Sequence, residues 1–191
     1  MNIAPEMMVF DCADAPARHR RSLQEKDDCD FLSRHATADI ADRLCMVKRE
    51  FSSVLQMGGA SHPFAAPGHD ACVEFIDSAP EILPYSDNSF DLITSVMKLH
   101  AINDLPGVLL QIKNALKPDG LFIAAMPGGR TLQELRESLM EAELALSGGA
   151  SPRVFPFAGR QQMAGLMQRA GFALPVVDAE TVTVMYRDIF H

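Results

Sequence analysis

Residues 90–129, FDLITSVMKLHAINDLPGVLLQIKNALKPDGLFIAAMPGG, constrain the fold of this chain more than any other stretch. Residues 92–97 are a short apolar run with β-branched members, the pattern of a buried strand. Asp104 can cap a helix in which Leu105, Val108, Leu109, Ile112 and Leu116 recur at helical spacing. Lys117, Pro118, Asp119 and Gly120 stop that helix, since proline lacks a backbone N–H and glycine accepts a tight turn. Residues 121–126 form a second apolar strand. Strand, helix and strand within about 35 residues make one βαβ unit, which predicts parallel strands with the helix on one face. The rest of the chain has to fit around that unit.

Upstream, residues 1–51 are helical in character and precede any strand. Phe31, Leu32, Ile40, Leu44, Val47 and Phe51 alternate with charges, which predicts one or two amphipathic helices packing on a later sheet. Residues 52–57 (SSVLQM) and 73–77 (VEFID) are strand candidates. Between them HPFAAPGHD has two prolines, a glycine and no apolar periodicity, so it is not a helix. Downstream, Thr131 and Glu134 have the spacing of a capping box, ahead of an apolar stripe of Leu132, Leu135, Leu139, Ala142 and Leu146 that ends at Gly148 and Gly149. A helix over 160–170 turns Met163, Leu166 and Met167 inward. Residues 173–178 and 181–186 read as two strands able to form an antiparallel hairpin. The expected organisation is an N-terminal helical segment, 1–51, followed by one α/β unit, 52–191.

Composition excludes several function classes. The net charge of −8 over 191 residues disfavours nucleic acid and anionic membranes as partners, and the local cluster Arg18, His19, Arg20, Arg21 reads as a solvated helix face. No apolar run is long enough to span a bilayer. The N-terminus has no charged region followed by an apolar stretch, so no signal peptide is evident. Cys12, Cys29, Cys45 and Cys72 include no C-x-x-C pair and the six histidines no H-x-x-x-H pair. Partly buried, reduced thiols in a cytoplasmic protein are the expectation, with no metal site.

The run DNSFDLITSVMKLHAINDLPGVLLQIKNALKPDG resembles the back half of a class I S-adenosylmethionine-dependent methyltransferase domain, in which FD opens the fourth strand and a KPDG or KPGG turn precedes the fifth. LHAINDLP, GGRTLQELRESL, GGASPRVFPFAG, LMQRAGFALPVVD and the early FDCADAPARHRRS are similar to one subgroup, the bacterial relatives of a mitochondrial complex I assembly factor described as a protein-arginine hydroxylase. The resemblance implies a Rossmann-like α/β fold, a mostly parallel sheet with an antiparallel edge and N-terminal helices. Ligands of such sheets bind outside the carboxyl ends of the strands.

It also implies an S-adenosylmethionine pocket on a D/E-x-G-x-G-x-G turn after the first strand, where glycines let backbone approach the cofactor. Here Gln56 stands where the acid belongs, Gly58 takes the first glycine position, Ala60 the second and His62 the third, with Gly59 supplying some backbone freedom. The cofactor half is shortened: residues 58–70 alone separate the first two strand candidates, too few for helix, strand and helix. The family's second strand and its ribose-binding acid are therefore expected to be missing, with VEFID as the third strand. Asp77 or Glu81 is then the adenine-facing acid. His100 and Asn103 fall after the fourth strand, on the expected substrate side, and Arg153 can hold a carboxylate or a backbone carbonyl.

Two functions follow from these readings. The first is a methyltransferase-like protein acting on a protein or small molecule with an eroded cofactor motif. The alternative is a non-catalytic assembly or scaffold protein of the same fold, with a protein partner. Arginine hydroxylation has no metal-ligand set to support it here.

Overall fold

The computed structural model describes residues 30–59, 72–76 and 80–186. Helix α1 (Phe31–Cys45) leads into β1 (Ser53–Met57), β2 (Cys72–Ile76) and β3 (Phe90–Val96). A short 3-10 turn, Leu99–Ala101, precedes α2 (Leu105–Ala115), β4 (Leu116–Ala125), α3 (Gln133–Ser147) and α4 (Arg160–Arg169). The four strands form one parallel sheet in the order β2-β1-β3-β4.

The central strands are buried along nearly their whole length because helices cover both faces. Alternation along β1 and β3 sends Val54, Leu92 and Val96 to one face, where Ile40 and Leu44 of α1 and Phe51 pack on them. Leu55, Met57 and Ile93 go to the other face, against Val108 and Ile112 of α2. Full burial of each of these aliphatic side chains contributes roughly 1.5–3 kcal/mol. Met163 and Ala170 of α4 join Leu109 of α2 in a third cluster.

The βαβ unit forms as its sequence predicts. The Asp104 carboxylate accepts from Gly107 N at 2.9 Å and caps α2. The helix ends at Ala115, one residue earlier than its apolar spacing suggests, because Leu116 pairs with Phe90 and opens β4. Residues 117–120 bulge out before pairing resumes at Leu121 opposite Leu92, and Asp119 takes φ 62° in that bulge.

The amino ends of these strands are tied by one carboxylate. Asp91 accepts from Ser52 Oγ at 2.7 Å, Ser53 N at 3.1 Å, Ser53 Oγ at 3.0 Å and Lys117 Nζ at 3.1 Å. The Ser52 hydroxyl, followed by Lys117 and Ser53, holds the Asp91 carboxyl far below the usual carboxylate range, against the opposing effect of burial. Arg49 completes the cluster, donating to the Asp119 carbonyl oxygen.

Several expectations are corrected. No antiparallel hairpin forms: 173–178 and 181–186 carry no strand, and the four described strands are all parallel. Pro175 lacks a ladder donor and Leu174 takes φ 51°, which breaks an extended run. The segment spends its polar groups on α1 instead, through Arg43–Asp178 at 3.0 Å and His35–Glu180 at 3.4 Å. The capping box is absent too. Leu132 is the residue before α3, at φ 54°, and no side chain caps that end. Thr131 N is used in a turn onto Gly128 O at 2.8 Å. The stripe on α3 stays uncovered, since none of the helix is buried and Leu135, Met140, Leu144 and Leu146 are exposed.

β2, the VEFID strand, pairs directly with β1, from Ser53 opposite Cys72 to Met57 opposite Ile76, and forms the edge of the described sheet beyond β1. Cys45 and Cys72 are free thiols, exposed where partial burial was expected, and Cys12, Cys29 and residues 18–21 lie outside the described residues. No helix among the described residues is long and apolar enough to cross a membrane.

Candidate functional site

The carboxyl ends of β1 and β3 meet at the turn after Met57. Gly58 and Gly59 take φ 77° and 67°, left-handed values that glycine adopts at no steric cost. Gln56 is fully buried, and its Nε2 donates to Gly58 O at 3.0 Å and Gly59 O at 3.2 Å. Only an N–H donor can serve two carbonyl oxygens, so a carboxylate at position 56 would face them without a proton to offer. The replacement of the expected acid by glutamine thus has a local cause: the amide clasps its own turn.

The space that the two glycines leave open is filled by the protein. A Cβ on Gly58 would collide with the Val96 carbonyl oxygen and lie 2.6 Å from both Cγ and Cε of Lys98. A Cβ on Gly59 would lie 3.1 Å from Gln56 Nε2, 3.1 Å from Val96 Cβ and 3.3 Å from Thr37 Oγ1 of α1. The glycines serve the close approach of β1, β3 and α1. The groups nearest these two glycines are a backbone carbonyl oxygen, an aliphatic Cβ, a hydroxyl, an amide and the Lys98 stem, with no carboxylate among them.

The other candidates separate. Glu81 accepts from Asn103 N at 2.8 Å, Asn103 Nδ2 at 3.1 Å and Asp104 N at 3.0 Å, so its carboxylate is committed to the start of α2. Gln111 fastens the same loop, donating to Glu81 O at 3.1 Å and accepting from Leu83 N at 2.8 Å. Glu81 and Asn103 are thus brought together, as one clamp. His100 sits in the 3-10 turn, its ring centroid 5.9 Å from that of Phe157. Burial, with the nearby Lys98 charge, holds its imidazole below the usual histidine range. Arg153 stands apart from both, paired with Glu143 of α3, which also accepts from Ser151 N at 2.7 Å. Asp77 lies outside the described residues.

Sequence reasoning missed Thr94 and Ser95, the polar side chains inside β3. Among the described residues, buried Gln56 Oε1, Thr94 Oγ1, Ser95 Oγ and His100 Nδ1 have no hydrogen-bond partner, and all belong to the carboxyl halves of β1 and β3 or the turn that follows. Gln56 pairs with Thr94 in register, which sets their side chains next to each other on the α1 face. Two polar residues in adjacent apolar strands were the available signal. No cluster of three or more potential metal ligands exists among the described residues. A groove of about 800 Å³ runs beside α4, lined by Pro156, Phe157, Gln161, Leu166 and Arg169.

A methyltransferase domain family matches residues 17–175. Arginine-hydroxylase NDUFAF5, mitochondrial, of Danio rerio is 36% identical over 188 residues, covering 86% of this chain and 59% of that protein. The Homo sapiens protein of the same name is 48% identical over 110 residues, 58% of this chain and 32% of that one. The chain thus spans between a third and three fifths of these relatives. Among solved structures, a SAM-dependent methyltransferase from Thermotoga maritima aligns with a TM-score of 0.52 at 21% identity, over 80% of this chain and 79% of that one, a likeness of fold. With a parallel sheet, helices on both faces and the family match running over most of its length, this chain belongs to the methyltransferase domain family.

Proposed function

We propose that this methyltransferase-fold protein works without turning over S-adenosylmethionine, as a non-catalytic partner of another protein. One observation carries the reading: the Gln56 amide binds the Gly58 and Gly59 carbonyls and so closes the turn from within. The similarity to the complex I assembly subgroup supports an assembly role, and the exposed apolar side chains of α3 fit a protein that works against a partner. The net charge of −8 fits a protein partner better than a polyanion, and the free thiols of Cys45 and Cys72 fit a reducing cytoplasm.

The test is a titration of the pure protein with S-adenosylmethionine to millimolar concentration, followed by thermal shift and calorimetry. A ligand at 100 times its Kd stabilises a fold by about 2.7 kcal/mol, an unmistakable rise in melting temperature. No rise and no heat are expected, and a saturable shift overturns the proposal. The second reading, an S-adenosylmethionine-dependent methyltransferase acting on a protein or small molecule, draws on the left-handed glycine pair at the carboxyl end of β1. In that reading the Gly58 and Gly59 backbone holds the methionine part, with Asp77 or Glu81 toward the adenine, and a saturable shift favours it.

A further inference from the structure

We propose that α3 is the docking face for a basic amphipathic helix of a partner protein. The inference rests on the non-catalytic reading and names the chemistry of the partner. Two polar tethers set how α3 sits. Arg136 Nη2 donates to Gly129 O at 3.3 Å and Thr131 O at 3.0 Å. Seven residues on, Glu143 accepts from Ser151 N at 2.7 Å and Arg153 Nε at 2.6 Å. Residues seven apart lie two turns along the same helix side, so that side turns to the protein and the others turn out. No residue of α3 is buried. Leu135, Leu139, Ala142 and Leu146 recur at helical spacing along one ridge, with Leu135 47% and Leu146 87% exposed. Glu134, Glu137 and Glu141 recur along a second ridge, all exposed. Because Arg136 is drawn inward and Glu143 is paired, the outward charges of α3 are all negative.

These two ridges decide the occupant. The leucines supply affinity through the apolar area a partner covers, and the glutamates select which partner, since surface charges discriminate more than they bind. A second copy packed helix on helix would set three glutamates against three, a like-charge contact that suppresses pairing. A helix with an apolar stripe beside lysine or arginine matches both ridges.

The probe is a designed peptide of about four helical turns, the length of α3, with leucines on one face and lysines beside them. The same peptide with glutamates in place of the lysines is its control. Binding to the full chain is read by calorimetry, with circular dichroism and a cooperative melt verifying the fold of each variant. The lysine peptide should bind, and the glutamate peptide at least tenfold more weakly. Leu135→Ser with Leu146→Ser should weaken the lysine peptide at least tenfold, and Glu134→Gln with Glu137→Gln and Glu141→Gln at least fivefold. Because the whole chain carries a net charge of −8, a matched variant removes three exposed acids elsewhere, by Asp42→Asn, Glu50→Gln and Asp87→Asn, and should bind within twofold of wild type. The docking face is overturned if the lysine peptide does not bind, or if the matched variant loses as much affinity as the α3 variant. It is overturned equally if sedimentation finds a wild-type dimer that Leu135→Ser with Leu146→Ser dissolves, which assigns the face to a second copy. A saturable melting shift with S-adenosylmethionine sinks the non-catalytic reading and leaves the peptide isotherms as they are, so the two failures are distinguishable.

Discussion

The two ends of the sheet handle buried polar groups in opposite ways. At the amino ends of β1 and β3, one carboxylate, Asp91, gathers two hydroxyls, a backbone N–H and an ammonium. At the carboxyl ends, four buried polar atoms have no partner among the described residues, and the turn is closed by an amide bonded to its own neighbours. Buried polar groups are costly unless paired, so the Asp91 cluster stabilises the first end. Ligands of open α/β sheets bind outside the carboxyl ends of the strands, the end at which these polar atoms lie.

The largest test of this contrast is Asp91→Ala. Removing the carboxylate leaves Lys117 and two hydroxyls without their acceptor, and about 3 kcal/mol of unfolding free energy should be lost in urea titration. The sign with pH follows from the depressed folded pKa: the Asp91 contribution is complete above the ordinary aspartate value of about 3.9 and disappears as acid protonates the folded carboxylate. Wild type should therefore lose stability more steeply below about pH 4 than Asp91→Ala does. Equal slopes would break the comparison.

Gln56→Glu comes next. It restores the acid of the family pattern yet should cost about 2 kcal/mol near neutral pH, since the new group is buried and faces two carbonyl oxygens. Here the sign reverses. The buried acid has a raised folded pKa, so stability falls as pH rises from the unfolded glutamate value, about 4.3, toward that folded pKa. A variant as stable as wild type at pH 8 would show that the amide clasp contributes nothing.

The smallest effect concerns His100. Its imidazole should titrate below the ordinary histidine range in a two-dimensional NMR series, and Lys98→Ala should move it back toward that range. Because the folded pKa is depressed, acidification through the ordinary value of about 6.5 removes a little stability. A His100 that titrates normally in wild type would remove this group from the set of buried polar atoms at the carboxyl end.

Much of the fold was legible. The spacing of Val108, Leu109 and Ile112 specified a helix face, and Asp104 announced its cap, because helix periodicity and capping are local chemistry. The motif residues Phe90, Asp91 and Lys117 were visible as family signatures, but their work was not: Asp91 and Lys117 are 26 positions apart and meet only when β3 and β4 pair. Thr131 and Glu134 had the spacing of a cap and did not form one, since the Thr131 backbone closes a turn on Gly128 instead. The hairpin expectation failed for a related reason. Alternation in 181–186 describes what a strand could bury and says nothing about which neighbour the segment reaches, and the charges at Asp178 and Glu180 reach α1. Of the site, Gln56, Gly58 and Gly59 were found from the motif; Lys98 was not, because a lysine after a strand has no pattern of its own.

By itself the sequence determined the class of fold, the parallel central unit and the residues Gln56, Gly58 and Gly59 at the end of the first strand, since these depend on residue type and local spacing. The tertiary structure alone decided what surrounds them. Whether a glycine admits a ligand or a neighbour depends on what packs above it, and over Gly58 that is Val96 and Lys98 from the adjoining strand end.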